Sequence, residues 1–191
     1  MRRDVIGLSS IFLLGVACER APIEPALEGP LPEIHATQVW DNPNNVLSAL
    51  VSVRTSNARL ASVVILNDSL SESTIPFFSV ASDSCVIPVL GLLAQKTYTL
   101  RAVAISPTGG KGHGPMITYT TKPLPTDIPP LRVAFSQSPS VTFVLLGLNP
   151  APQGKSYSVI VDKNGTPVWY KGFAGSVFDF QKHDDGFYTV W

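Results

Sequence analysis

The chain has 191 residues, enough for one domain or for a small domain followed by part of another. Its 14 basic and 14 acidic residues balance, so the composition gives no indication of the strongly basic surface that binds nucleic acid. Hydrophobic residues make up 45% of the chain and charged residues 15%, so a packed core is expected. Many prolines and glycines, with β-branched and aromatic residues between them, predict an all-β protein.

The N-terminus has the form of an export signal. A short basic start precedes the apolar run from Val5 to Ala17, which leads into Cys18. Such a run is typical of a secretory signal and is shorter than the ~20 residues that span a bilayer. With small residues before Cys18, the segment resembles the lipobox of bacterial lipoproteins. This resemblance implies a signal peptide over 1–17, a lipidated Cys18, and anchoring in the bacterial cell envelope, at the periplasmic or surface face of the outer membrane.

The residues after the signal are rich in proline. Segment 18–32 holds the acylated cysteine and then a Pro-rich tether that lifts the folded part off the membrane. Cys18 and Cys85 are the only cysteines, so lipidation of Cys18 leaves Cys85 without a disulfide partner. Cys85 lies in an apolar run and is predicted to be a small buried thiol.

Segment 33–122 consists of short β-rich runs separated by turn formers, a pattern that indicates a β-sandwich. The predicted strands are Ile34–Val39, Val46–Thr55, Ala61–Leu66, Phe77–Val80, Val86–Leu90, Thr97–Ala104 and Met116–Thr121.

One spacing sharpens this prediction. Leu92 precedes Tyr98 by six residues, as in the tyrosine corner that leads into strand F of fibronectin type III domains. Ser106–Gly110 follows as a hairpin turn. The segment therefore resembles an Ig/fibronectin type III-like sandwich, in which the phenol of Tyr98 bonds back to the upstream backbone.

A Pro-rich linker over 123–130 marks a domain boundary, and segment 131–191 is again β-rich. Predicted strands flank an Asn164-Gly165 hairpin turn, whose two residues are expected to supply positive φ values. A further strand is predicted over 177–181, before the turn Asp184-Asp185-Gly186 and a last apolar strand that ends at Trp191.

This segment resembles the first blade of bacterial arylsulfate sulfotransferases, in which an Ig-like domain precedes a β-propeller. The residues that carry the resemblance are Val161, Asp162, Gly165, Val168, Trp169, Asp185 and Gly186. It implies an all-β chain built from an Ig/fibronectin type III-like sandwich and the first, incomplete blade of a β-propeller. It also implies a full-length family activity in which a histidine transfers sulfate from a phenolic ester to a phenol, without a nucleotide donor.

No catalytic residue can be assigned in this sequence. The family's catalytic histidine lies in later blades, and His35, His113 (in a glycine-rich loop) and His183 are expected to be surface residues. His183 lies beside two aspartates, yet an exposed turn of this kind is usually solvated. We find no metal-ligand spacing and no cofactor motif, so no metal or cofactor is expected. Because one blade does not close a propeller, we expect a gene product that continues beyond Trp191 and a chain that is inactive alone.

Two alternatives remain at this stage. In the first, the chain is a non-enzymatic surface lipoprotein whose fibronectin-like domain binds a glycan or a protein. In the second, it is the start of another class of propeller, such as a quinoprotein-like one. Trp40 is the best candidate for stacking on a sugar, whereas Trp169 is expected to pack within the blade. Expected partners are the membrane, through the lipid anchor, a glycan or protein, and a phenolic sulfate only if a full propeller follows.

Overall fold

A computed structural model describes residues 29–66, 72–131, 142–149 and 155–191, so Cys18 and the predicted signal lie outside the described residues. All regular elements in these ranges are β-strands, which confirms the all-β class. They are β1 (Glu33–Asp41), β2 (Ala49–Ser56), β3 (Leu60–Leu66), β4 (Glu72–Thr74), β5 (Phe78–Ser79), β6 (Ser84–Val89), β7 (Thr97–Ile105), β8 (Lys111–Thr120), β9 (Phe143–Leu148), β10 (Ser156–Asp162), β11 (Pro167–Phe173), β12 (Gln181–Lys182) and β13 (Tyr188–Thr189). Among the described residues, no helix is long and apolar enough to cross a membrane.

Strands β1 to β8 form two antiparallel sheets that share one core, and we call them the first unit. One sheet has the order β1-β2-β6, and the other has the order β4-β3-β7-β8 with β5 beside β3. Buried residues alternate along β2, as expected for a strand with one buried face, whereas β3 is buried on both faces between Ala61 and Ile65. Val51 of β2, Val63 of β3 and Leu100 of β7 meet in this core with no exposed surface.

The structure corrects the predicted start of the second strand. β2 begins at Ala49 and not at Val46. The preceding residues form a turn, in which Asn42 accepts a backbone hydrogen bond from Asn45 and Asn45 accepts one from Ser48. Because these backbone groups form hydrogen bonds within the turn, the segment does not pair with a neighbouring strand.

The glycines around His113 lie in a strand and not in the predicted loop. Gly112, His113 and Gly114 all belong to β8. A Cβ atom on Gly112 would clash with the carbonyl oxygen of Pro32, so this strand needs a residue without a side chain. The close approach of a second backbone explains glycines that the sequence pattern alone associates with a loop.

Strands β9, β10 and β11 form a third antiparallel sheet in consecutive order, and with the β12–β13 hairpin they make the second unit. The turn predicted between β10 and β11 is present, but its conformation differs from the prediction. Only Gly165 has a positive φ, of 81°, and Asn164 does not. The Asp162 side chain accepts the N–H groups of Asn164 and Thr166, and the Gly165 N–H bonds to the Asp162 carbonyl. The hydrogen bonds to the Asp162 carboxylate thus stabilise a turn that contains a single left-handed residue, Gly165.

The two units share a second apolar core, which we call the joint. Leu47 comes from the turn before β2, Ile128 from the predicted linker, and Val159 and Tyr170 from the third sheet. Leu47 and Val159 have no exposed surface. The Pro-rich segment 123–130 is therefore packed between the units through Leu124 and Ile128.

Candidate binding cleft

An apolar cleft of about 640 Å³ lies over the face of the third sheet that points away from the joint. Its lining comes from the third sheet, the segment of the β12–β13 hairpin and the two residues that follow β6 in the first unit. The lining residues are Leu90, Gly91, Phe143, Leu145, Ile160, Val168, Trp169, Phe180, Lys182 and Tyr188.

The floor of the cleft follows from the strand register. Leu145 of β9 pairs with Ile160 of β10, which pairs in turn with Trp169 of β11. Residues directly opposite each other in antiparallel strands point to the same face, so these three side chains form one apolar row across the sheet. The alternate residues Leu146, Val159 and Tyr170 point to the other face and fill the joint.

The hairpin that follows β11 forms the wall. The Phe180 ring lies 6.0 Å from the Trp169 ring and 5.9 Å from the Tyr188 ring, between the centroids. Aromatic pairs at such separations stabilise each other beyond the area that they bury. A continuous aromatic wall therefore rises from β11 to β13.

The strand predicted over 177–181 is corrected to the short β12. Phe178 bonds to Trp191 through both backbone groups, but Asp179 has a φ of 54° and interrupts the pairing before β12, and Val177 packs instead of pairing.

Val177 is almost fully buried, and its carbonyl oxygen would lie 3.2 Å from a Cβ atom on Gly147. The Val177 N–H donates to the Asn149 side chain at 2.7 Å. Val177 therefore closes one end of the sheet face, and the cleft opens toward Phe143, which is 53% exposed.

Lys182 is the only charged side chain among the residues that line the cleft. It lies directly opposite Tyr188 in the β12–β13 pair. Two of the three nearby carboxylates stabilise the hairpin, since Asp179 accepts a hydrogen bond from the Gln181 side chain and Asp185 accepts the Phe187 N–H, and the third, Asp184, is exposed. In the described part of the chain, no carboxylate forms an ion pair with Lys182.

Polar bonds across the joint fix the cleft relative to the first unit. The Asn45 side chain donates to the Tyr170 carbonyl at 2.9 Å and accepts the Leu47 N–H at 2.9 Å. The Tyr170 hydroxyl accepts the Val46 N–H at 3.0 Å. Asn45 thus covers one carbonyl on the outer edge of β11, an edge that has no strand partner among the described residues.

A further hydrogen bond ties the linker to the third sheet. The Tyr157 hydroxyl donates to Asp127 at 2.8 Å. The pKa of Tyr157 is raised to about 12, mainly because the hydroxyl is partly buried and secondly because it donates to Asp127. The same hydrogen bond lowers the pKa of Asp127.

A smaller polar pocket of about 380 Å³ lies beside β11. It is lined by Asn42, Asn44, Asn45, Trp169, Tyr170, Lys171 and Gly172. The Asn42 amide donates to Ser48 and accepts the Asn44 N–H, and the Asn45 amide is used in the joint. Since these amides hold the turn before β2, the pocket is part of the joint and the cleft is the better binding site.

The residues proposed for the tyrosine corner come together. Leu92 is fully buried in the first core, and the Tyr98 hydroxyl accepts the Leu93 N–H at 2.7 Å. Tyr98 is also buried, so this pair is part of the scaffold of the first unit. Neither residue lines the cleft, although Leu92 directly follows the lining residue Gly91.

The residues of the proposed blade motif have separate positions. Trp169 lines the cleft, whereas Asp162 and Gly165 form the β10–β11 turn. Gly186, with φ 86°, closes the hairpin turn before β13, and Asp185 caps it. Of the seven residues that carry the blade resemblance, four therefore shape or cap turns, Val161 is buried in the joint, and Val168 and Trp169 line the candidate site.

The histidines and the tryptophan considered as candidate site residues do not lie together in one site. His35 contacts Ser56 at 3.0 Å and His183 contacts Thr189 at 2.7 Å, both at exposed positions. Trp40 is half-exposed on β1, outside the cleft lining. Within the described ranges, no three His, Cys, Asp or Glu side chains lie close enough together to hold a metal ion.

Cys85 is half-buried and not fully buried as predicted. It packs against the edge of the first core, and burial raises the pKa of its thiol. The position of β6 at the edge of its sheet explains the partial exposure, because only one side of the strand is paired.

Several cleft residues have no signal in the sequence that marks them as part of a site. The sequence pattern places Leu90 at a strand end of the first unit, and Lys182 has no distinguishing pattern. Their common role arises from contact between the two units, which local periodicity does not encode. Comparison with known protein families finds none that matches the chain, and comparison with characterised proteins finds no match either.

Proposed function

We propose that this chain is a non-catalytic binding module of the bacterial cell envelope. A lipid anchor at Cys18 and a Pro-rich tether hold an Ig/fibronectin type III-like first unit, which supports the second unit. The second unit binds an apolar ligand in its cleft. The observation that carries this proposal is the open row of Leu145, Ile160 and Trp169 under the aromatic wall of the hairpin.

The size and the lining of the cleft support ligand binding. Ligand sites are typically concave, predominantly apolar and about 300–1,000 Å³ in volume. An exposed apolar surface of this kind is stabilised when a ligand or a partner removes it from water. Each buried CH₂ group contributes about 0.8 kcal/mol, so an aliphatic ligand gains affinity with every carbon that enters.

The strand order of the first unit supports the Ig/fibronectin type III-like part of the proposal. The three-stranded sheet faces the sheet β4-β3-β7-β8 in an antiparallel arrangement, and Tyr98 bonds back to the backbone before β7. Such units commonly act as rigid spacers or supports for a binding surface, and the fold alone does not define an activity.

Binding of 1-octanol to the purified protein tests the proposed function. We expect saturable binding that weakens about fivefold in Phe143→Ser, since this change removes about 1 kcal/mol of apolar contact at the cleft mouth. Phe178→Ser is the matched control, because Phe178 is 61% exposed and lies outside the cleft lining. Calorimetric titration that detects no binding, or equal binding by both variants, would contradict the proposal.

A second candidate function is the front part of an arylsulfotransferase-like propeller enzyme. The observation that favours it is the consecutive order β9-β10-β11, since propeller blades are antiparallel meanders. In that case later blades would supply the catalytic histidine, and the open cleft would receive an adjoining sheet.

This second candidate is tested in the membrane fraction of the producing cell with an antibody to the first unit. A native protein several times larger than 20.5 kDa that transfers sulfate between phenols would support it. A native mass near 20.5 kDa without transfer activity would exclude it and leave the binding module.

A further inference from the structure

We propose that the cleft selects amphipathic monoanions, whose apolar body lies on the sheet face and whose anionic head pairs with Lys182. This inference rests on the proposed function and adds the chemical class of the ligand. It starts from one asymmetry, a single ammonium group in an otherwise uncharged lining.

The apolar body has a defined place. Leu145, Ile160 and Trp169 form a floor that runs across three strands. Val177 closes one end of that face, so a chain-like ligand enters from the Phe143 side. Leu90 of the first unit also lines the cleft.

The head group is selected by charge. A carboxylate near Lys182 gains an ion pair, whereas a cation there would meet a like charge beside low-dielectric walls. Lys182 pairs with Tyr188 across the hairpin, so its backbone position at the cleft rim is fixed by the β12–β13 ladder. The carboxylates of Asp179, Asp184 and Asp185 are exposed and lie outside the cleft lining, where water screens them, so Lys182 is the charge that a ligand in the cleft meets.

The strength of selection follows from exposure. Lys182 is exposed, so the ion pair is screened by water and contributes modestly. We expect a preference of about fivefold for an anion over a neutral ligand with the same body. The preference should shrink as salt is raised from low concentration, because the pair lies at the surface.

Three probes with one body and different heads test the inference: n-octanoate, 1-octanol and n-octylammonium. Binding is followed by the fluorescence of Trp169 in a Trp40→Phe, Trp191→Phe background, which removes the other two tryptophans. The expected order of affinity is octanoate about fivefold above octanol, with octylammonium weakest. Lys182→Met should abolish the preference while octanol binding persists, and Lys182→Arg should keep it.

Lys163→Met is the matched control, because Lys163 is exposed in the β10–β11 turn and outside the cleft lining. Equal affinities for the three probes, or a preference that survives Lys182→Met, would overturn the inference and leave the proposed function intact. Failure of all three probes to bind would overturn both.

Discussion

Asn45 is the residue on which the joint depends most. Its amide is 6% exposed and bonds to groups of both units, the Tyr170 carbonyl and the Leu47 N–H. A buried polar group that loses its partner costs about 1–3 kcal/mol. The sequence predicts a turn at this position from its run of Asn and Pro, but the partner 125 residues away has no local signal.

Asn45→Ala should lower the free energy of unfolding by about 3 kcal/mol, because two buried backbone groups lose their partner. Asn44→Ala is the control, since Asn44 is exposed and the buried hydrogen bonds are made by the next residue, Asn45. Urea denaturation measures both. Equal stability of the two variants would show that the Asn45 bonds do not hold the joint.

At the scale of the elements, the sequence predicts the positions of the hairpin turns best. Hairpin turns close at Gly109, Gly165 and Gly186, with φ values between 81° and 92°. In each, the glycine N–H bonds to the carbonyl three residues earlier. These turns are predictable because their residues act locally.

Close contacts between elements are not predictable in the same way. The sequence pattern favours a loop at Gly112, whose actual role is to let β8 pass the Pro32 backbone. The pattern also favours a longer strand in place of the short β12, which the left-handed residue Asp179 interrupts, while Val177 packs over the third sheet. Local pattern does not distinguish an apolar residue that pairs from one that covers a neighbouring sheet.

Gly112→Ala should therefore destabilise the first unit by about 2 kcal/mol, as backbone atoms must move to admit the new methyl group. Gly175→Ala should have little effect, because nothing lies within 4 Å of a Cβ atom there. Thermal unfolding of the two variants checks this. A Gly112→Ala protein as stable as the wild type would mean that the contact with Pro32 relaxes without cost.

At the scale of the whole molecule, the described hydrophobic residues lie mainly in two buried cores and in the lining of an open cleft. The first core fills the space between two sheets, and the joint binds the third sheet to the turn before β2. With one face of the third sheet used in the joint, its other face carries the cleft. The all-β class and the position of Trp169 in a strand follow from the sequence, whereas the cleft needs the contact of both units.

The joint also holds the cleft in shape. Leu90 and Gly91 belong to the first unit, while the floor and the aromatic wall belong to the second. A loose linker would let these parts separate, but Leu124 and Ile128 are packed and Asp127 bonds to Tyr157. The cleft is thus a property of the assembled molecule.

The most direct test of a preformed apolar binding cleft is a methyl NMR titration of the protein with 1-octanol. We expect saturable shifts at the methyl groups of Leu90, Leu145 and Ile160, which line the cleft on both units. Methyl groups of Ile87 and Leu100, which are fully buried in the first core, should not move. Shifts that spread equally over the core, or an absence of saturable shifts at the cleft, would contradict a preformed binding site.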